Sequence, residues 1–157
     1  MQRIAVLAVA LLTPVIVAAH SGHSDEPIKA RRAYFTLIGA NMGALGRMAK
    51  GEIDYNPDIA AIHARNLGGL LSYNIAVHFP EGTSQKDHPG KTRALQTIWE
   101  GDEQFNPAFI QKGEEFYAAI NALGSETSLG RDALRSALSR AGATCKGCHD
   151  DFRAKDF

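Results

Sequence analysis

The sequence predicts an all-α protein, an antiparallel four-helix bundle, on three observations. Four segments place apolar residues at alternating three- and four-residue steps, the repeat of a helix with one buried face. Two of those segments open on Asn-Pro, a helix-start signal, and no alternating strand pattern occurs after residue 19. Amphipathic helices of this size bury their apolar faces most simply against one another.

Residues 1–19, MQRIAVLAVALLTPVIVAA, have a cation at Arg3, an apolar stretch from Ile4 to Val17 and a small-residue end. This is the pattern of a signal peptide, with cleavage expected after Ala19. The stretch is short for a membrane span, contains Pro14 and runs directly into the polar HSGHSDEP. Residues 20–157 are therefore expected to form one exported domain with no membrane association. Seventeen Lys and Arg balance seventeen Asp and Glu with no basic run, so the electrostatic footprint of a nucleic-acid binder is absent.

The first helix is expected from Glu26 to about Lys50, with a stripe of Ile28, Phe35, Ile38, Met42 and Leu45. Arg31 falls on the same stripe. It either snorkels to water or faces an anion inside the bundle. The second segment begins at Asn56 as N-cap and Pro57 as first helical residue. Its stripe of Ile59, Ile62, Asn66, Leu70, Tyr73 or Asn74, and Val77 is stopped by Pro80. Gly68 and Gly69 weaken it by about 1 kcal/mol each relative to alanine, and mark either a close approach or a lax spot.

Residues 80–101 carry two prolines and two glycines before Trp99 and read as a long connection with one helical turn near Ile98. A third helix opens at Asn106-Pro107, carries Phe109, Phe116, Ile120 and Leu123, and is expected to end at Gly124. The fourth runs from Arg131 with Leu134, Leu138, Ala141, Cys145, Cys148 and Phe152 on one face.

Cys145 and Cys148 are the only cysteines, and His149 follows the second. A disulfide between them would enclose a tiny loop and constrain little of the unfolded chain. A thioredoxin-type pair would follow a strand, and none precedes Cys145. Zinc wants four ligands, and His63, His78 and His88 are not clustered with the pair in sequence. C-x-x-C-H is instead the attachment sequence of a c-type haem: the thiols add to the porphyrin vinyls and the histidine turns onto the iron. The competing reading is a haem-free helical module in which CKGCH occurs by chance.

With a haem motif near its C-terminus on the last of four helices, the chain resembles the cytochrome c′ family over about residues 26–155. IKARRAYFTLIGANMG is similar to that family's first helix, TRALQTIW to the loop before its third, and AGATCKGCHDDFR to its haem helix. The resemblance implies an up-down-up-down order and one haem c held by Cys145 and Cys148, with His149 as the iron ligand and Arg153 beside it. It implies that Arg31 contacts a haem propionate. Arg32 stands where the family often has a glutamine, Thr92 or Arg93 contributes from the loop, and Trp99 matches the loop tryptophan. Phe35 stands where low-spin relatives have an iron-ligating methionine, which implies five-coordinate iron. Met42 and Met48, about two and four turns further along, read as core filling.

The expected function is therefore a periplasmic, high-spin haem protein, redox active and not an enzyme. It binds nitric oxide and, more weakly, carbon monoxide, and forms a homodimer through its first two helices. The alternative is an electron-transfer cytochrome serving a redox protein partner. His63, His78 and His88 receive no role. His20 and His23 lie in the expected N-terminal tail, without a complete ligand set for copper or nickel.

Overall fold

The computed structural model describes residues 25–101 and 103–157; the signal-peptide segment, His20 and His23 lie outside the described residues. Four helices form, α1 Glu26–Lys50, α2 Pro57–Leu71, α3 Pro107–Glu126 and α4 Arg131–Phe152. Short 3-10 turns, Ile75–His78 and Gln96–Trp99, lie in the long connection between α2 and α3. α1 packs on α2 and α4, and α3 packs on α2 and α4, which closes an antiparallel up-down-up-down ring. Among the described residues no strand forms, and a single isolated bridge pairs Ala94 with Arg153.

The helix starts follow the sequence. Asn56 accepts from the backbone N–H groups of Asp58 and Ile59 at 2.9 and 3.0 Å, and Asn106 accepts from Ala108 at 2.9 Å. At the end of α1, Gly51 adopts a φ of 76°, and the Gly51 and Glu52 N–H groups return to Met48 and Arg47.

The ends of α2 and α3 differ from expectation. α2 stops at Leu71 rather than running to Val77, because the Asn74 side chain accepts from Ala76 N–H and starts a separate turn. α3 continues through Gly124 to Glu126, since Thr127, 2% exposed, donates its N–H to Leu123 O and its hydroxyl to Gly124 O. A side chain at Gly68 or Gly69 would meet nothing within 4 Å, so these glycines are a lax spot.

The buried faces are also partly corrected. α1 buries Ile28, Ile38, Leu45 and Met48 as expected, together with Arg31, Tyr34 and Asn41, whereas Phe35 lies on its flank, 47% exposed. α2 buries Ala60, Ala64 and Leu67 and turns Ile59 and Ile62 outward, and Tyr73, just past the end of α2, is exposed as well. One apolar cluster joins α1, α2, α3 and α4 through Leu45, Leu67, Leu123 and Leu134. A second, of Phe79, Ile98, Trp99, Phe105 and Phe152, lies where the long connection meets the end of α4.

Candidate functional site

The last turns of α4 carry Cys145 and Cys148, both half-buried free thiols, with Cys148 packed against the second apolar cluster. Burial pushes both thiols upward, and the neighbouring Cys145 adds to the effect at Cys148. They are neutral thiols held in apolar surroundings. His149 is exposed, and its pKa is lowered by partial desolvation and then by the charge of Arg93, which keeps the ring neutral and its lone pair available. Arg153 Nη1 stands 3.5 Å from His149 Nδ1.

The connection is clasped to this helix end by its backbone. Leu95 N–H donates to Phe152 O at 3.0 Å, and Ala154 N–H donates to Arg93 O at 2.8 Å. This sets Thr92 and Arg93 beside the haem motif. The Arg93 guanidinium lies over the Phe157 ring at 5.2 Å, and that of Arg32 lies over the same ring at 5.6 Å. Arg32 also donates to Lys91 O at 3.1 Å and remains exposed.

Arg31 is 3% exposed, so it does not snorkel. Nη1 donates to Thr83 Oγ1 at 2.8 Å and to His78 O at 3.3 Å. Nη2 donates to Thr83 O and, at 2.9 Å, to Thr92 Oγ1. The guanidinium also lies over Phe79, 4.7 Å from the ring centre, and Phe79 belongs to the cluster that meets Cys148. All of these acceptors are neutral. Burial pushes the Arg31 pKa down to about 10, the mark of a cation without an anionic counterpart.

Arg31, Thr92, Cys148, His149 and Arg153 thus gather where the connection meets α4. Phe35 stands one turn beyond Arg31, its ring edge-on to Tyr34 with centroids 5.2 Å apart. Sequence reasoning missed Phe79 and Thr83. The available signal for Thr83 was the Thr-Ser-x-x-Asp turn, in which Ser84 N–H and Oγ–H donate to Asp87 Oδ2 at 3.1 and 2.6 Å and Thr83 is 1% exposed. Among the described residues, no three His, Cys, Asp or Glu side chains are grouped to hold a metal ion alone. Two thiols, one neutral imidazole and a buried cation paired only with neutral oxygens fit an acidic porphyrin that brings its own nitrogen ligands.

The comparisons with known proteins agree. The family model described as Cytochrome C′ matches residues 26–153. The cytochrome c′ of Cereibacter sphaeroides is 36% identical over 150 residues, covering 96% of this chain and 97% of the relative. A solved cytochrome c′ structure from Rhodobacter sphaeroides superposes with a TM-score of 0.78 at 37% identity, over 83% of this chain and 97% of that one. A second cytochrome c′ structure, described as having a ligand-controlled dimer dissociation, gives a TM-score of 0.73 at 26% identity, over 83% and 96%. A ferrous variant of the Alcaligenes xylosoxidans protein with bound NO gives 0.71 at 26%, over 84% and 96%. With the bundle, the CKGCH helix end and the matched span in agreement, the chain belongs to the cytochrome c′ family, whose cofactor is haem c.

Proposed function

We propose that this chain is an exported, non-enzymatic, gas-binding cytochrome c′. Cys145 and Cys148 would hold haem c as thioethers, His149 would ligate its iron, and Phe35 would stand beside the group without offering a second ligand. The observation that carries this reading is Phe35 itself, a hydrocarbon ring one turn beyond Arg31 with no lone pair for iron and no hydrogen-bond donor for a bound gas. The haem supplies a redox-active iron with one open coordination position.

The chain's residues then divide the work. His149 is neutral and able to ligate, with the Arg153 cation at its flank. Arg31 gains in a propionate the counter-anion that its buried charge lacks, while Thr83 and Thr92 hold its fork in place. Arg32 stands further out. Phe35 crowds the open face, so gas uptake there is slow, nitric oxide is the preferred ligand and carbon monoxide binds weakly. The relative solved with bound NO supports that choice.

The export pattern of residues 1–19 supports a periplasmic location, and among the described residues no helix is long and apolar enough to cross a membrane. The outward Ile59 and Ile62 of α2, with Leu37 of α1 at 53% exposure, support a homodimer through these two helices.

Electronic absorption of the purified ferrous protein is the test. A high-spin, five-coordinate spectrum that changes on addition of nitric oxide is expected, with Phe35→Ala taking up carbon monoxide faster in stopped-flow mixing. A low-spin, six-coordinate spectrum before any ligand is added would overturn gas binding and leave electron transfer to a protein partner.

A further inference from the structure

The gas-binding reading uses neither Tyr73 nor His78, yet the fold joins them. The Tyr73 hydroxyl is hydrogen-bonded to His78 Nε2, the Tyr O–H donating when the ring carries its proton on Nδ1, and the two rings lie within 15° of parallel with centroids 5.7 Å apart. His78 is itself held by Arg31, which donates to its carbonyl oxygen at 3.3 Å. Among the described tyrosine and tryptophan side chains, Tyr73 alone is hydrogen-bonded to a group that can take up its proton. Tyr55 donates to Thr127 O and Trp99 Nε1 donates to Phe79 O, and a peptide carbonyl is no base at neutral pH.

A line of rings runs from this pair through Tyr34 to the flank of α1. Tyr34, 8% exposed, lies 6.1 Å from Tyr73 between ring centres, and Phe35 lies 5.2 Å beyond Tyr34. Loss of an electron makes a phenol strongly acidic, so oxidation is easiest where a base already stands at the hydroxyl. A buried phenol without one resists, which suits Tyr34 as a relay and Tyr73 as the place where the oxidised state rests. Phe35 acts as a bridge, since a plain benzene ring is harder to oxidise than a phenol.

We infer that Tyr73 and His78 form a redox-active pair, coupled to the haem through Tyr34 and Phe35, that draws away oxidising equivalents left on the haem by a hydroperoxide. The inference rests on the reading that Phe35 faces the haem. In the step, one electron leaves Tyr73 for the oxidised haem, the phenolic O–H bond breaks and an N–H bond forms at His78 Nε2. The products are a neutral tyrosyl radical and an imidazolium. A hydroperoxide takes two electrons and two protons to give an alcohol, or water, and water. Each time Tyr73 gives up an electron its proton moves to His78, and each electron returned by an external one-electron donor such as ascorbate re-forms the phenolic O–H with that proton; over two such cycles the donor supplies both electrons and solvent supplies the two protons that the hydroperoxide takes up.

The test mixes ferric holoprotein with hydrogen peroxide, freezes it within the first second and records the electron paramagnetic resonance spectrum. The absorption spectrum is taken before peroxide is added. A tyrosyl signal is expected in the unaltered protein. It should be lost in Tyr73→Phe and diminished in His78→Gln and Tyr34→Phe, with faster bleaching of the haem in Tyr73→Phe. These substitutions keep ring or side-chain volume and report on the radical without relying on activity. A signal of unchanged yield and shape in Tyr73→Phe, or a tryptophanyl signal in its place, would overturn the pair while leaving gas binding intact. A low-spin spectrum before peroxide would overturn the reading on which the pair rests.

Discussion

Arg31 shows how much one side chain can organise. Replacing it by leucine removes the donors to Thr83 O, Thr83 Oγ1 and Thr92 Oγ1 in a buried setting. The expected cost is about 2–4 kcal/mol in equilibrium unfolding, with a shift in reduction potential. Arg31→Lys keeps the charge without the fork and should recover only part of both. Arg31 was legible in sequence because a cation stood on an otherwise apolar stripe. Thr92 was legible only as a loop residue of the site and Thr83 not at all, since they lie 61 and 52 residues away in a segment without periodicity. At the haem motif, the Cys145→Ala, Cys148→Ala double variant should lose haem peroxidase staining on a denaturing gel, where the unaltered protein keeps it. Phe35 was misjudged as packing: its apolar spacing suggested the buried stripe, but its place on the flank of α1 leaves it half exposed.

Among the elements, helix starts were more legible than helix ends. Asn-Pro fixes a start through a side-chain acceptor and a preset φ, both local properties, whereas the ends of α2 and α3 depend on Asn74 and on the burial of Thr127. Asn56→Ala should therefore destabilise the protein by about 1 kcal/mol in urea unfolding. The start of α1 is tied to the connection by Asp25, whose carboxylate meets Lys91 Nζ at 2.6 Å and His88 Nδ1 at 3.2 Å. The Lys91 hydrogen bond is the chief cause that lowers the Asp25 pKa from its ordinary 3.8. A carboxyl with a depressed folded pKa stabilises the fold above its unfolded value and loses that contribution as pH falls through the folded one. The melting temperature should thus decline more steeply with falling pH below 3.8 in the unaltered protein than in Lys91→Met.

At the scale of the whole molecule, the bundle was readable because four stripes at helical spacing leave few other ways to bury apolar surface. The stripe on α2 belonged to a different task. The bundle takes the small Ala60–Ala64–Leu67 face, and the larger Ile59 and Ile62 are left outside at 41% and 42% exposure. Periodicity alone does not say which of two faces the rest of the molecule will use. If the outer face is the homodimer contact, Ile62→Glu should shift sedimentation from dimer to monomer while leaving the haem spectrum in place. An unchanged sedimentation coefficient would assign the face to something else.

The grip of one guanidinium on both Thr83 and Thr92 bears on how this molecule can be remodelled. Gln85 N–H also donates to Ala94 O at 2.7 Å, so the two limbs of the connection are pinned together from within. The intervening Lys86, Asp87, Pro89, Gly90 and Lys91 are exposed, and Gly90 turns with a φ of 76°. Closing a longer excursion between pinned limbs adds only a logarithmic entropy, about 0.6 kcal/mol for each doubling of length. A recognition peptide grafted between Pro89 and Gly90 would therefore leave the pins in register. It would be displayed where Asp25, at the start of α1, meets His88 and Lys91, which makes this turn a natural socket for steering the protein to a chosen surface.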